Sequence, residues 1–125
     1  MPRVRKKKNA DSKGDCYEAA FKMLMDLCLF SPEEAPRYLL VHAEVQGQGP
    51  LAGARFGHAF LVRDSATAID SSNGRSIEMP AFLYYAIGQI QNIGNERQYT
   101  WEESQQRAID HGTYGPWDLV TSTGL

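Results

Sequence analysis

The segment from Asp15 to Phe30 most constrains the fold, because it predicts one long helix near the start of a 125-residue chain. Asp15 is a good N-cap, and Glu18 follows it at the spacing of a capping box. Apolar side chains then recur at helical spacing and predict one buried face; they are Ala20, Met23, Leu24, Leu27 and Cys28. A chain of this length forms one domain, so that face must pack on elements that come later in the sequence.

The later segments alternate strand-like runs with turns rich in glycine and proline. The predicted strands are 38–45, 58–63, 67–70 and 97–100. The predicted helices are a very short one at 31–36, one over 80–90, and one that Thr100 and Glu103 cap and Gly112 ends. We therefore expect a single α+β domain over residues 11–125, in which the N-terminal helix packs on a small antiparallel sheet and a further helix lies at the C-terminus.

Two features of these segments concern the loops. A long glycine-rich loop is predicted over residues 47–57, and loops of that kind often carry function. The strands 58–63 and 67–70 are separated by three residues and are predicted to pair as a hairpin, with a further tight turn at Asn73-Gly74.

Residues 1–10 differ in composition from the rest, and we interpret them as a basic flexible arm. Five cations lie in its first eight residues, at Arg3, Arg5, Lys6, Lys7 and Lys8. The formal net charge of the whole chain is −2, which argues against a protein that grips nucleic acid over its whole surface. The arm alone is a weak candidate contact for an acidic partner or nucleic acid.

The cysteines and the hydropathy pattern indicate the compartment. The most apolar stretch, from Ala19 to Phe30, is interrupted by charges and is too short to span a membrane. The basic N-terminus is not followed by the apolar region of a secretory signal. Cys16 and Cys28 are twelve residues apart in one predicted helix, about 18 Å by helical rise, so they cannot form a disulfide there. We expect reduced thiols, a cytoplasmic protein and no membrane partner.

Cys16, His58 and Asp70 form the candidate catalytic constellation. Cys16 lies in the first turn of the capped helix, where free amides and the helix dipole stabilise a thiolate and can hold an oxyanion. His58 begins one strand of the predicted hairpin and Asp70 ends the other, so the pairing brings both to the same open end. A nucleophile, a base and an acceptor that orients the base are the parts that thiol catalysis requires.

Each of these residues also has a structural interpretation. Free cysteines are usually small buried hydrophobes, and Cys28 fits that description. His58 could be a loop histidine with a structural hydrogen bond, and Asp70 could start an Asx turn. The remaining histidines, His42 within a strand and His111 at a helix end, are interpreted as structural. No spacing of histidines and cysteines fits a metal site, and no cofactor is expected.

The order of these motifs resembles that of the papain-like cysteine peptidase superfamily. The pieces Asp15-Cys16, His58-Ala59-Phe60 and Ile69-Asp70-Ser71-Ser72-Asn73-Gly74 are similar to motifs of bacterial cell-wall endopeptidases, bacteriocin-leader peptidases and transglutaminase-like enzymes. The similarity spans residues 15–74, about half of the chain. It implies a papain-like core and a Cys-His-Asp hydrolase that cleaves an amide, peptide or isopeptide bond in a protein or peptide substrate.

The resemblance has departures at the oxyanion site. Tyr17 stands where the family often has glycine or serine, and the glutamine that often precedes the cysteine is missing, with Asn9 the only amide upstream. The candidates for oxyanion or substrate binding are Tyr17, Asn9, Gly57 and Asn73. Two alternatives to hydrolysis follow: acyl transfer of the transglutaminase or deamidase type through the same triad, and a papain-like binding protein without activity.

Overall fold

The computed structural model describes residues 15–74, 76–90 and 95–121, so the arm predicted for residues 1–10 lies outside the described residues. The helices in these ranges are α1 (Asp15–Phe30), α2 (Ala81–Gly88) and α3 (Trp101–His111). The strands are β1 (Tyr38–Gln46), β2 (Arg55–Arg63), β3 (Thr67–Asp70), β4 (Ile77–Pro80) and β5 (Glu96–Tyr99). The predicted α+β class is confirmed, with a helix at each end of the described chain.

The five strands form one antiparallel sheet in the order β4-β3-β2-β1-β5. The two longest strands, β1 and β2, occupy the second and third places from the β5 edge and pair over nine residues, from Tyr38 opposite Arg63 to Gln46 opposite Arg55. The predicted hairpin of β2 and β3 is present, with Leu61 opposite Ile69 and Arg63 opposite Thr67. This pairing places the end of β3 beside the middle of β2, which is where the candidate site lies.

Helix α1 packs on one face of this sheet. Its buried residues lie at helical spacing and include Tyr17, Ala20, Phe21 and Leu24, which pack on side chains of the strands such as Leu40, Leu61 and Ile69. Met23 and Leu27 are partly buried against the same cluster, whereas Cys28 is half-buried and lies outside it. Burial of this stripe, rather than helix propensity alone, holds α1 in place.

The opposite face of the sheet carries a smaller apolar cluster. Val41, Ala43, Phe60, Val62 and Ala68 are buried there, and Tyr84 and Tyr85 of α2 pack against them. The sheet is therefore a middle layer, with α1 and α3 on one face and α2 on the other. Successive residues of β2 therefore face α1 and α2 in alternation.

Several predicted boundaries differ from those observed. Strand β2 begins at Arg55 rather than at His58, because its pairing with β1 continues through Phe56 and Gly57, and this shortens the predicted glycine-rich loop. Strand β4 was not predicted; it is a four-residue edge strand that ends in Pro80, and proline is tolerated at such an edge. The very short helix after Ser31 is a turn followed by a 3-10 helix at Ala35–Arg37.

The end of the chain follows the predicted capping signals. Thr100 accepts a hydrogen bond from the amide of Glu103 at 3.1 Å, and the Glu103 carboxylate accepts one from the amide of Thr100 at 2.9 Å. Gly112 closes α3 with φ of 72°, the left-handed conformation that glycine adopts most readily. No helix in the described ranges is long and apolar enough to cross a membrane.

Candidate active site

The first turn of α1 carries Cys16. The helix begins at Asp15, so the amides next to the thiol lack partners within the helix. Cys16 is 6% exposed and belongs to the core cluster of α1. Helix α1 contacts β1, β2 and the 3-10 turn Ser72–Gly74 that follows β3, and these contacts bring its first turn to the end of the hairpin.

The hairpin brings His58 and Asp70 together. Leu61 lies opposite Ile69, and one step further along this register places Asp70 beside Phe60. His58 and Phe60 are two residues apart on β2, so their side chains share a face, and their rings stack with centroids 6.3 Å apart. The His58 Nε2–H group donates to Asp70 Oδ2 at 2.8 Å. The sequence predicted this proximity, although His58 lies within its strand rather than at the start.

The Asp70 carboxylate accepts further hydrogen bonds on both oxygens. The Ser72 amide and hydroxyl donate to Oδ1 at 3.0 Å and 2.8 Å, and the Tyr84 hydroxyl donates to Oδ2 at 2.6 Å. The Ser72 contacts form the Asx turn considered for this residue, and this structural role is compatible with the catalytic role that remains a prediction. Charge-assisted bonds of this kind fix the carboxylate in one orientation.

Cys16 and Asp70 both act on the ionisation of His58. Burial lowers the pKa of His58, but hydrogen bonds with Asp70 and Cys16, and the charges of both groups, outweigh it and raise the pKa to about 10. Burial raises the pKa of Asp70, but the bond to His58 and the His58 charge, with Tyr84 and Ser72, hold it well below its usual range. The ring and carboxylate are therefore both charged at neutral pH.

This arrangement presents a charged imidazolium to a thiol. Because Nε2 is engaged by Asp70, the remaining ring nitrogen, Nδ1, is the one available to Cys16. An imidazolium in contact with a cysteine favours the thiolate, which is the nucleophilic form. A site of this kind can attack an electrophilic carbonyl and return a proton to the group that leaves.

The predicted oxyanion candidates that the structure describes lie in three different elements. The Tyr17 side chain is buried with its ring centroid 4.8 Å from that of His42, so its backbone amide, rather than its hydroxyl, remains a candidate. Gly57 lies in β2 opposite Glu44, next to His58. Asn73 lies in the 3-10 turn that α1 contacts, and its side chain is outside the described part of the structure, as is Asn9.

Two polar contributors were not predicted from the sequence. Ser72 had a local signal, since it stands two residues after an aspartate in a turn-forming run. Tyr84 had no such signal, because it reaches Asp70 from α2, fourteen residues further along the chain. Only the packing of α2 on the sheet brings its hydroxyl to the carboxylate.

His42 is separate from the site. It is fully buried among Tyr17, Tyr99 and Trp117, and neither ring nitrogen has a hydrogen-bond partner in the described residues. Burial lowers the pKa of His42 to about 3 and outweighs the opposing effect of the Asp118 charge, so the ring is neutral near pH 7. These contacts agree with the structural role predicted for His42.

No protein-family model, curated protein or solved structure matches this chain.

Proposed function

We propose that this protein is a thiol hydrolase that cleaves an amide, peptide or isopeptide bond, with Cys16 as nucleophile, His58 as acid and base, and Asp70 as the group that orients His58. The observation that carries the proposal is the hydrogen bond of 2.8 Å between His58 and Asp70, beside a Cys16 thiol close enough to raise the pKa of His58. Three residues from three separate elements meet in the order that nucleophilic catalysis requires.

The proposed reaction has two halves. In the first, the Cys16 thiolate adds to the carbonyl carbon and the free amides at the start of α1 hold the oxyanion. The His58 imidazolium then gives its proton to the leaving nitrogen, the C–N bond breaks, and a thioester remains on Cys16. In the second half, His58 takes a proton from water, the resulting hydroxide displaces the thiolate, and a carboxylic acid leaves.

The degree of burial supports a slender substrate. Cys16 is 6% exposed and the His58 side chain is 14% exposed, so little of either group faces solvent. A thin extended peptide segment can reach groups buried to this degree more readily than a folded protein surface can, which supports a peptide segment as the substrate. Both cysteines are free, and thiols are kept reduced in the cytosol, so the proposal includes a cytoplasmic setting.

The reactivity of the thiol tests the proposal without knowledge of the substrate. We expect iodoacetamide to label Cys16 faster than the more exposed Cys28, because Cys16 lies in the first turn of α1 beside His58, as the proposed nucleophile requires. Peptide mapping by mass spectrometry gives both rates in one sample. His58→Ala should remove the preference for Cys16, and His111→Ala, which changes a histidine at the end of α3, should keep it.

Turnover is then measured on a mixture of peptides from digested casein. Wild type and Cys28→Ala should generate new peptide termini, and Cys16→Ala should generate none. An added primary amine that becomes joined to the peptides would identify acyl transfer instead of hydrolysis. Equal labelling of the two cysteines, in protein that circular dichroism shows to be folded, would remove the basis for Cys16 as nucleophile.

A further inference from the structure

Tyr84 contacts the candidate site from the side of the sheet opposite α1. Its hydroxyl donates to Asp70 Oδ2 at 2.6 Å, and His58 Nε2 lies 2.8 Å from that same oxygen. The Tyr84 ring also packs on Phe60, with centroids 4.6 Å apart, and Phe60 in turn stacks on the His58 ring. The ring and the hydroxyl of Tyr84 therefore support both members of the His58–Asp70 pair.

The hydroxyl can act only as a donor at this place. Burial, together with the neighbouring Asp70 charge, raises the pKa of Tyr84 far above its usual range, so the phenol keeps its proton. Asp70 needs no further partner on Oδ1, which Ser72 already fills with two bonds. The bond from Tyr84 instead goes to Oδ2, the oxygen that also binds His58. A second donor at Oδ2 withdraws part of its negative charge and so weakens its interaction with the His58 ring.

We propose that Tyr84 is a positioning residue of the thiol site, which holds Asp70 Oδ2 against His58 and limits how strongly the carboxylate stabilises the imidazolium. This inference rests on the proposed function, since it describes how the base of that site is tuned. Among the described residues, the titratable groups that face His58 are Cys16 from α1 and Asp70 from β3, with Tyr84 acting from α2 through Asp70.

Tyr84→Phe tests the proposal, with Tyr85→Phe as a matched control. Tyr85 is the next residue of α2 and also packs on Phe60, at 5.9 Å, but its hydroxyl interacts with Glu96 rather than with Asp70. The readout is the titration of His58, followed by NMR in protein with labelled histidine and assigned through His58→Gln. We expect Tyr84→Phe to raise the His58 midpoint by about half a pKa unit or more, and Tyr85→Phe to leave it in place.

A second substitution keeps the test valid if Tyr84→Phe does not fold. Incorporation of 3-fluorotyrosine at position 84 keeps the ring and makes the hydroxyl a stronger donor, so the His58 midpoint should fall instead of rise. Opposite shifts from the two substitutions support the proposal. An unchanged midpoint in either folded protein, or an equal shift in Tyr85→Phe, would overturn it.

The titration also separates this inference from the proposed function. It needs no substrate and no turnover, so a protein without hydrolase activity would still show whether Tyr84 tunes His58. If activity is present, Tyr84→Phe should displace the pH profile of kcat/KM in the same direction as the NMR midpoint. A purely structural role would lower stability and leave both pH profiles unmoved.

Discussion

Replacement of Asp70 by asparagine separates the charge of the candidate triad from its shape. Asparagine is nearly isosteric with aspartate and keeps one oxygen that can accept the hydrogen bonds from Ser72, whereas its NH2 group takes the place of Oδ2 and cannot accept from Tyr84 or His58. It removes the negative charge that holds the buried His58 ring protonated. With that charge gone, burial opposes the protonated ring more strongly, and the pKa of His58 should fall by about two units from its value of about 10.

The size of the effect follows from the His58 titration. A rise from 6.5 to about 10 corresponds to about 5 kcal/mol of preference for the protonated ring in the folded state. Cys16 supplies part of that preference, so we assign about 2–3 kcal/mol to Asp70, in keeping with a buried hydrogen bond between charged groups. Asp70→Asn should therefore lower the free energy of unfolding by about that amount at pH 6.

The pH dependence gives the prediction its sign. A pKa raised above the unfolded value contributes stability that is fully present below pH 6.5 and is lost as the pH rises through about 10. The difference between wild type and Asp70→Asn should accordingly be largest at pH 6 and should shrink toward pH 10. Urea unfolding followed by fluorescence at pH 6, 8 and 10 measures it.

Asp110→Asn is the matched control. Asp110 is an exposed aspartate on α3 that accepts one bond from Gln106 at 2.9 Å, so its replacement should change stability by less than about 0.5 kcal/mol. If Asp70→Asn were as stable as wild type at pH 6, or if the difference grew with rising pH, the assignment of a charged His58–Asp70 pair would be refuted.

Two further predictions concern the core. His42 should destabilise the fold in acid, because its pKa falls from 6.5 to about 3 on folding and stability is lost as the pH drops through that interval. His42→Phe should therefore reduce the difference between the free energies of unfolding that urea titration gives at pH 7 and at pH 4.5. An acid loss of unchanged size in the variant would contradict this. Leu24→Ala should lower the free energy of unfolding by about 2–5 kcal/mol, because Leu24 is fully buried. The control Leu29→Ala should change the free energy of unfolding by less than about 0.5 kcal/mol, because Leu29 is 64% exposed. Similar values for the two leucine variants would show that α1 does not bury the face described.

The elements with local signals were predictable from the sequence. The apolar spacing of α1 and the cap formed by Thr100 and Glu103 depend on residues within one or two helical turns. Both features can therefore be predicted without knowledge of the fold. The same holds for the hairpin of β2 and β3, whose short connection leaves few alternative pairings. That hairpin is also why the neighbourhood of His58 and Asp70 could be predicted.

Features that depend on distant neighbours were decided by the tertiary structure. Strand β2 extends back to Arg55 only because β1 supplies pairing partners, and the four-residue β4 exists because β3 offers it an edge. The hydrogen bond from Tyr84 to Asp70 depends on how α2 packs across the sheet. Hydrophobic burial, which sets that packing, is not directional, so the apolar composition of α2 indicates that it packs on the sheet but not which polar group the Tyr84 hydroxyl will meet.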